Sequence, residues 1–169
     1  NALGFQSGWW ACVLGVVHGY ETAGLLFCGL LVVAHLFWVG SARQEMQLAF
    51  VALLLGIAID TLLQFFKVIH FEGRAWGVLS PFWLWMLWIL FALTLNSSLA
   101  FLKRLPLRVA AAAGLVFGPL SYLAGAALGA ASLHRSFFEL SILALAWTLA
   151  LPVLVWTAQK ISTDTKVVH

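Results

Sequence analysis

Long uninterrupted runs of apolar residues dominate this chain, and each run ends at a short cluster of charged, glycine or proline positions. A run of about 17 to 25 apolar residues is long enough to cross a bilayer as a helix. That criterion predicts spans near 3–19, 21–40, 46–68, 80–102, 107–131 and 137–159. The expected fold is all-α: a polytopic integral membrane protein, residues 1–169 forming a single transmembrane domain built as a compact bundle of six transmembrane helices. The first span is short and rich in glycine. It carries no basic leader and no small-residue cleavage pattern near its end, so it reads as a retained helix rather than a signal peptide.

Composition agrees with this pattern. Apolar residues make up 63% of the 169 positions and charged residues only 9%, with a mean hydropathy of +1.02. A water-soluble core of this size has no need of so apolar a chain. The net charge of +3 is scattered over short connections rather than gathered in a patch, so nucleic acid is not an expected partner. The basic residues report orientation instead. Arg43, Lys103, Arg104, Arg108, Lys160 and Lys166 fall on one side of the predicted bundle, and Lys67, Arg74 and Arg135 on the other. Basic residues concentrate in cytoplasmic loops, which places both termini in the cytoplasm. Trp76, Trp83, Trp85 and Trp88 then form an expected aromatic belt at the far interface.

Small residues recur along the fifth span as Gly114, Gly118, Ser121, Gly125 and Gly129. Such a stripe lets a neighbouring backbone come close in lipid, and it predicts the fifth helix as the packing centre. Pro119 and Pro152 are expected to kink the fifth and sixth helices. Glycines also line the first two spans, and the tight turn near residue 20 should bring Cys12 and Cys28 together at similar depth as reduced, packed thiols.

Candidate chemistry starts from Asp60, an acid inside an otherwise apolar span. An intramembrane carboxylate is costly unless it is paired or protonated, so it is a candidate functional site. Asp60, Gln64 and Lys67 stand at i, i+4 and i+7, a spacing that puts them on one helix face as a polar lane into the bundle. Asp60 could accept a proton or bind a cation; alternatively it fixes helix packing, while Lys67 snorkels to headgroups. Ser121 and Tyr122 on the fifth span and Trp147 and Thr148 on the sixth lie at compatible depth, and Tyr122 could face Asp60 through a charge-assisted hydrogen bond. Nearer the cytoplasm, Asn96, Ser97 and Ser98 interrupt span four and His35 interrupts span two. At least one of the three must bond back to its own helix or meet water; His35 is either a hydrogen-bonded structural residue or a ligand. His18, His70 and His134 with Glu21, Glu72 and Glu139 offer metal-ligand types without a tight signature, so no metal is expected. No phosphate-cradling glycine loop, serine-nucleophile elbow or CxxC pair is present, and the residues assign no cofactor.

The segments GIAIDTLLQ, LFALTLNSSLAFLKRLP, GPLSYLAGAALGA and ALAWTLALPVL occur in an order that resembles the domain of unknown function 2878 family of small bacterial inner-membrane proteins. The resemblance covers nearly the whole chain and implies a bacterial inner membrane. Members of that family are often encoded beside fatty-acyl-modifying methyltransferases and flavin-dependent oxidases, which implies work on the acyl chains of membrane lipids. It supplies no catalytic residues to carry over.

Three functional readings stand on these residues. The first is a protein that binds a lipid or lipophilic substrate in its bundle and performs or assists fatty-acyl modification, with Asp60 and Tyr122 catalytic. Gln64, Lys67, Asn96, Ser121, Trp147, Thr148 and His35 are then substrate-binding candidates. The second is a small proton-coupled transporter or exporter using Asp60. The third is a scaffold that holds soluble lipid-modifying enzymes at the membrane. Membrane lipids are the expected partners throughout, and the connections are too short to house a soluble catalytic domain.

Overall fold

The computed structural model describes residues 2–134 and 136–164; Arg135 and Lys166, both used in the charge argument, lie outside the described residues. Among the described residues the chain forms α1 (Ala2–Val17), α2 (Glu21–Trp38), α3 (Ala42–Phe65), α4 (Phe82–Leu95), α5 (Leu107–Leu128) and α6 (Phe137–Asp164). A 3-10 turn at Ala100–Arg104 joins α4 to α5. Two short antiparallel strands, β1 (His70–Phe71) and β2 (Ala131–Ser132), pair at the far end of the bundle, with His70 opposite Ser132 and Phe71 opposite Ala131.

Four of the helices are long and apolar enough to cross a membrane: α2, α3, α5 and α6. α1 and α4 are apolar but shorter, at 16 and 14 residues. At a rise of about 1.5 Å per residue, α4 covers only two thirds of a hydrocarbon core of about 30 Å. Helix length and composition therefore support four of the six expected spans, with α1 and α4 as shorter apolar helices. Run 80–102 breaks because Asn96 and Ser97 end α4, the Ser97 hydroxyl donating back to the Leu93 carbonyl at 2.7 Å.

Helix ends follow local backbone chemistry. Gly129 closes α5 in the left-handed conformation, with φ +95°, where a Cβ is disfavoured. Pro81 and Pro106 precede α4 and α5, positions where a missing N–H costs no helical hydrogen bond. The helices run on through Pro119 and Pro152.

α4 is the packing centre rather than α5. It is flanked by α1, α2 and α3 and buries most of its side chains, whereas α5 packs chiefly along α6. The glycine stripe still does the work expected of small residues, because Gly114 meets the Trp147 carbonyl and Gly118 its ring. α1 and α2 form the expected tight hairpin. The Gly24 backbone lies against the Ala11 carbonyl, and the Cys12 and Cys28 sulfurs are 3.4 Å apart as buried free thiols.

The belt of tryptophans divides. Trp76 is exposed, but Trp83 and Trp88 are buried and Trp85 donates to the Ser80 hydroxyl at 3.0 Å. Helices cover α4 on several sides, so indoles spaced along it meet protein instead of headgroups.

Candidate functional site

Asp60 sits five residues before the end of α3 and is fully buried. Its Oδ1 accepts the Tyr122 hydroxyl at 2.5 Å and its Oδ2 accepts the Trp88 indole N–H at 2.8 Å. One carboxylate thus joins α3, α4 and α5, and α3 and α5 have little other direct packing. The contact is a short O–H···O hydrogen bond between a phenol and an acid. No Lys, Arg or His makes an ion pair with Asp60 among the described residues.

Trp88 is held flat from both sides. Its ring stacks on Trp147, with centroids 4.8 Å apart and planes at 10°, while the α3 backbone at Gly56 lies against its other face. A Cβ on Gly56 would fall 2.2 Å from the Trp88 ring, and one on Gly118 would fall 2.1 Å from Trp147. Glycine, indole, indole, glycine is therefore the layer order across α3, α4, α6 and α5. This stack aims the Trp88 N–H at Asp60. The Trp147 N–H is buried against the Tyr122 hydroxyl without completing a well-formed hydrogen bond.

In front of Tyr122 lies a small, partly enclosed cavity of about 60 Å³. Phe5, Trp9 and Val13 of α1 form one wall, and Trp83, Leu87, Trp88 and Phe91 of α4 another. α5 contributes Ser121, Tyr122 and Gly125; Trp147 and the strand residues Phe71 and Ala131 complete the lining. Its polar groups are few: the Tyr122 and Ser121 hydroxyls and the Trp147 indole edge. Ser121 is exposed on the bundle surface, so the cavity opens sideways at the depth of α5, and α1 and α5 touch only sparsely there. Asp60 does not line the space. It acts on the cavity through Tyr122, which donates its proton to the carboxylate and presents its oxygen lone pair to an occupant. This pair can hold or move a proton at the Tyr122 oxygen.

Of the residues singled out from sequence, Asp60, Tyr122, Ser121 and Trp147 come together. Gln64 follows Asp60 on α3, and its buried Oε1 has no hydrogen-bond partner among the described residues. Thr148 bonds the Ala144 carbonyl of its own helix at 2.6 Å and does not line the cavity. Lys67 departs from the expected lane. α3 ends at Phe65, and Lys67 is exposed with φ +56°, so it shares no helix face with Asp60.

His35 and Asn96 belong to a separate polar cluster at the opposite end. His35 Nε2 lies 3.6 Å from Glu45 Oε2, and Lys103 Nζ donates to Asn96 Oδ1 at 2.7 Å. Burial lowers the Lys103 pKa from its ordinary value, and the Glu45 charge opposes that shift. On the far side, His18 bonds the Leu14 carbonyl of its own helix, and His70 lies 3.9 Å from Glu72 at the surface. No three His, Cys, Asp or Glu are grouped to hold a metal ion among the described residues.

Trp88, Gly56, Trp9 and Gly125 are the site residues that span-by-span reading misses. Trp88 had a usable signal: a buried indole N–H needs an acceptor, and Asp60 is the acid inside an apolar span.

The chain belongs to the family described as protein of unknown function (DUF2878), whose family model matches residues 1–153. No curated protein and no solved structure matches it.

Proposed function

We propose that this is a bacterial inner-membrane protein that draws a lipid or other lipophilic substrate sideways into the aromatic cavity and performs or assists its fatty-acyl modification. The observation that carries this reading is the cavity itself. It has apolar walls, opens at the depth of α5, and ends at a phenol already engaged by a buried acid. A space of this size suits the apolar end of a substrate rather than a whole lipid, with a small number of placed polar groups to fix its orientation. Tyr122 is the group that would touch the substrate. Asp60 would set its proton affinity, while Trp88 and the glycine layers hold both in place.

The accompanying topology is six membrane crossings with both termini in the cytoplasm, α1 and α4 crossing as short segments. The cavity then lies toward the periplasmic half. Soluble lipid-modifying enzymes remain proposed partners, since the helices and their short connections hold no second domain.

Gly125 provides the test. It lines the cavity, and a Cβ built there meets nothing within 4 Å. Gly125→Phe therefore attaches a ring where the Cβ itself meets no neighbour, and directs it into the cavity. Lipids extracted from purified protein in polymer-bounded native nanodiscs should include an acyl species enriched over bulk membrane, and Gly125→Phe should lose that enrichment. Equal lipid profiles in the two proteins would overturn the reading.

A further inference from the structure

We infer that a groove between α1, α2 and α4 holds the length of one phospholipid acyl chain from the cytoplasmic leaflet, and that the end of this chain enters the cavity at Tyr122. The inference rests on reading the cavity as a lipophilic-ligand site. It adds what the occupant is and where the rest of it lies.

The groove is the larger of the two spaces, at about 310 Å³ against about 60 Å³ for the cavity. A group the size of a water molecule or a methylene takes up about 30 Å³, so the groove has room for about ten such groups and the cavity for about two. The cavity alone therefore takes only a chain end.

Two separate helices place the spaces end to end. On α1, Gly4 and Phe5 line the groove, and Phe5, Trp9 and Val13 line the cavity. On α4, which runs the other way, Leu93 and Leu90 line the groove, and Leu87 and Leu84 the cavity. Both helices put the groove at the end that is cytoplasmic under the proposed topology. Phe5 belongs to both linings and meets Phe91, a cavity residue, edge to face with centroids 5.8 Å apart, so this aromatic pair stands at the junction. From Gly4 to Val13 the path follows nine residues of α1, about 14 Å at a rise of about 1.5 Å each. That is close to half of a hydrocarbon core of about 30 Å, the depth that the chains of one leaflet cover.

Polarity sorts in the same order. His35 and Trp38 stand where the groove meets the last turn of α2, and Ser121 and Tyr122 in the cavity; the stretch between is apolar. No Lys, Arg, Asp or Glu among the described residues lines either space. With no cation in the lining to hold a carboxylate, the path fits an esterified chain rather than a free fatty acid.

The test uses a label that adds no bulk. The full chain is placed in nanodiscs of palmitoyl-oleoyl phosphatidylglycerol carrying carbon-13 in the palmitoyl chain, either at its middle or at its terminal methyl, and contacts are read by magic-angle-spinning NMR. The mid-chain label should contact Leu90, and the terminal methyl should contact Trp83 and Tyr122, all three of which are buried away from bulk lipid. Gly4→Phe adds a ring to the groove at a position where a Cβ meets nothing within 4 Å, and Ala34→Phe adds one from the α2 wall. Each should lose both sets of contacts. Gly125→Phe should lose the terminal-methyl contacts alone.

If the terminal methyl still reaches Tyr122 in both groove variants but not in Gly125→Phe, the chain enters beside α5; the groove inference is then overturned and the ligand site stands. If wild type shows no terminal-methyl contact with Tyr122, the inference is overturned, and the ligand site falls with it where Gly125→Phe also leaves the bound lipids unchanged. Contacts from labelled palmitic acid in unlabelled discs, with none from the labelled phospholipid, would overturn the phospholipid as occupant.

Discussion

Trp88 and Trp147 lie face to face, their ring centroids 4.8 Å apart and their planes 10° from parallel. The contact joins α4 to α6, and it exists because two glycines leave no side chain on the outer faces of the pair. Offset-stacked aromatic pairs contribute about 0.5–1.5 kcal/mol beyond their buried area. Here the stack also sets where an N–H points, so packing geometry decides how Asp60 is satisfied.

Replacing either outer glycine should break this arrangement. Gly118→Ala puts a methyl group 2.1 Å from the Trp147 ring, which must shift. Overpacking of this kind costs about 1–3 kcal/mol. Gly125→Ala, one helix face position into open space, should instead gain about 0.5–1 kcal/mol from helix propensity. Thermal unfolding in nanodiscs would rank the two variants on opposite sides of wild type. Near-ultraviolet circular dichroism should lose the stacked-indole signal in Gly118→Ala alone.

Asp60→Asn and Tyr122→Phe should separate structure from proton chemistry. An amide can accept the Trp88 N–H through its oxygen, while its NH₂ faces a Tyr122 hydroxyl free to rotate and accept. The variant should insert and fold, yet it holds no exchangeable acid at that position. Tyr122→Phe removes a buried interhelical hydrogen bond and should cost about 1–2 kcal/mol. Asp60→Leu loses both bonds and should unfold earliest. In lipid analysis of cells carrying each variant, Asp60→Asn should match the gene deletion despite wild-type protein levels. A wild-type lipid profile with Asp60→Asn would remove the acid from the mechanism.

The pairing of Asp60 with Tyr122 was legible because intramembrane polar groups are few and must find one another. The Cys12 and Cys28 contact was legible for a related reason: a turn near residue 20 fixes which positions of two helices share a depth. Lys67 was not legible. Spacing at i+7 assumes that the helix continues, and α3 stops at Phe65. The tryptophans of α4 were misassigned because an indole suits a headgroup interface and a protein interior equally well. Only the placement of α1, α2 and α3 around α4 decides between them, and that information is not local.

Topology offers a check that does not depend on any activity. Arg43, Lys103, Arg104, Arg108 and Lys160 lie at the same end of the bundle, opposite Lys67 and Arg74. Reporter fusions after residue 41, residue 105 and the C-terminus should all report cytoplasm, and fusions in 68–79 should report periplasm. A periplasmic signal at residue 105 would mean that α4 does not cross, which its 14-residue length makes the critical case.

Glu21 and Arg74 hold the roof of the cavity. Glu21 opens α2 and is buried, and its two oxygens accept the Arg74 backbone N–H at 3.2 and 3.0 Å; Oε2 also accepts the Arg74 Nε at 3.3 Å. Arg74 Nη2 reaches the Thr22 hydroxyl at 2.8 Å. These bonds pin the connection between α3 and α4, and with it β1, whose Phe71 lines the cavity beside Trp83. The Arg74 side chain is 60% exposed, so its charge alone adds little, about 0–1 kcal/mol. The backbone N–H bonds to Glu21 matter more, because a lost acceptor leaves them unmet near a closed surface. Arg74→Ala should therefore be mild, whereas Glu21→Ala should cost about 1–3 kcal/mol. Glu21→Gln keeps acceptor capacity and should fall between them. Hydrogen exchange would show the effect locally. The Glu72 amide, which donates to the Ala130 carbonyl at 3.0 Å, should exchange faster in Glu21→Ala while amides in the middle of α3 and α6 keep their protection. Uniform acceleration across the bundle would show that Glu21 supports the whole fold rather than the roof.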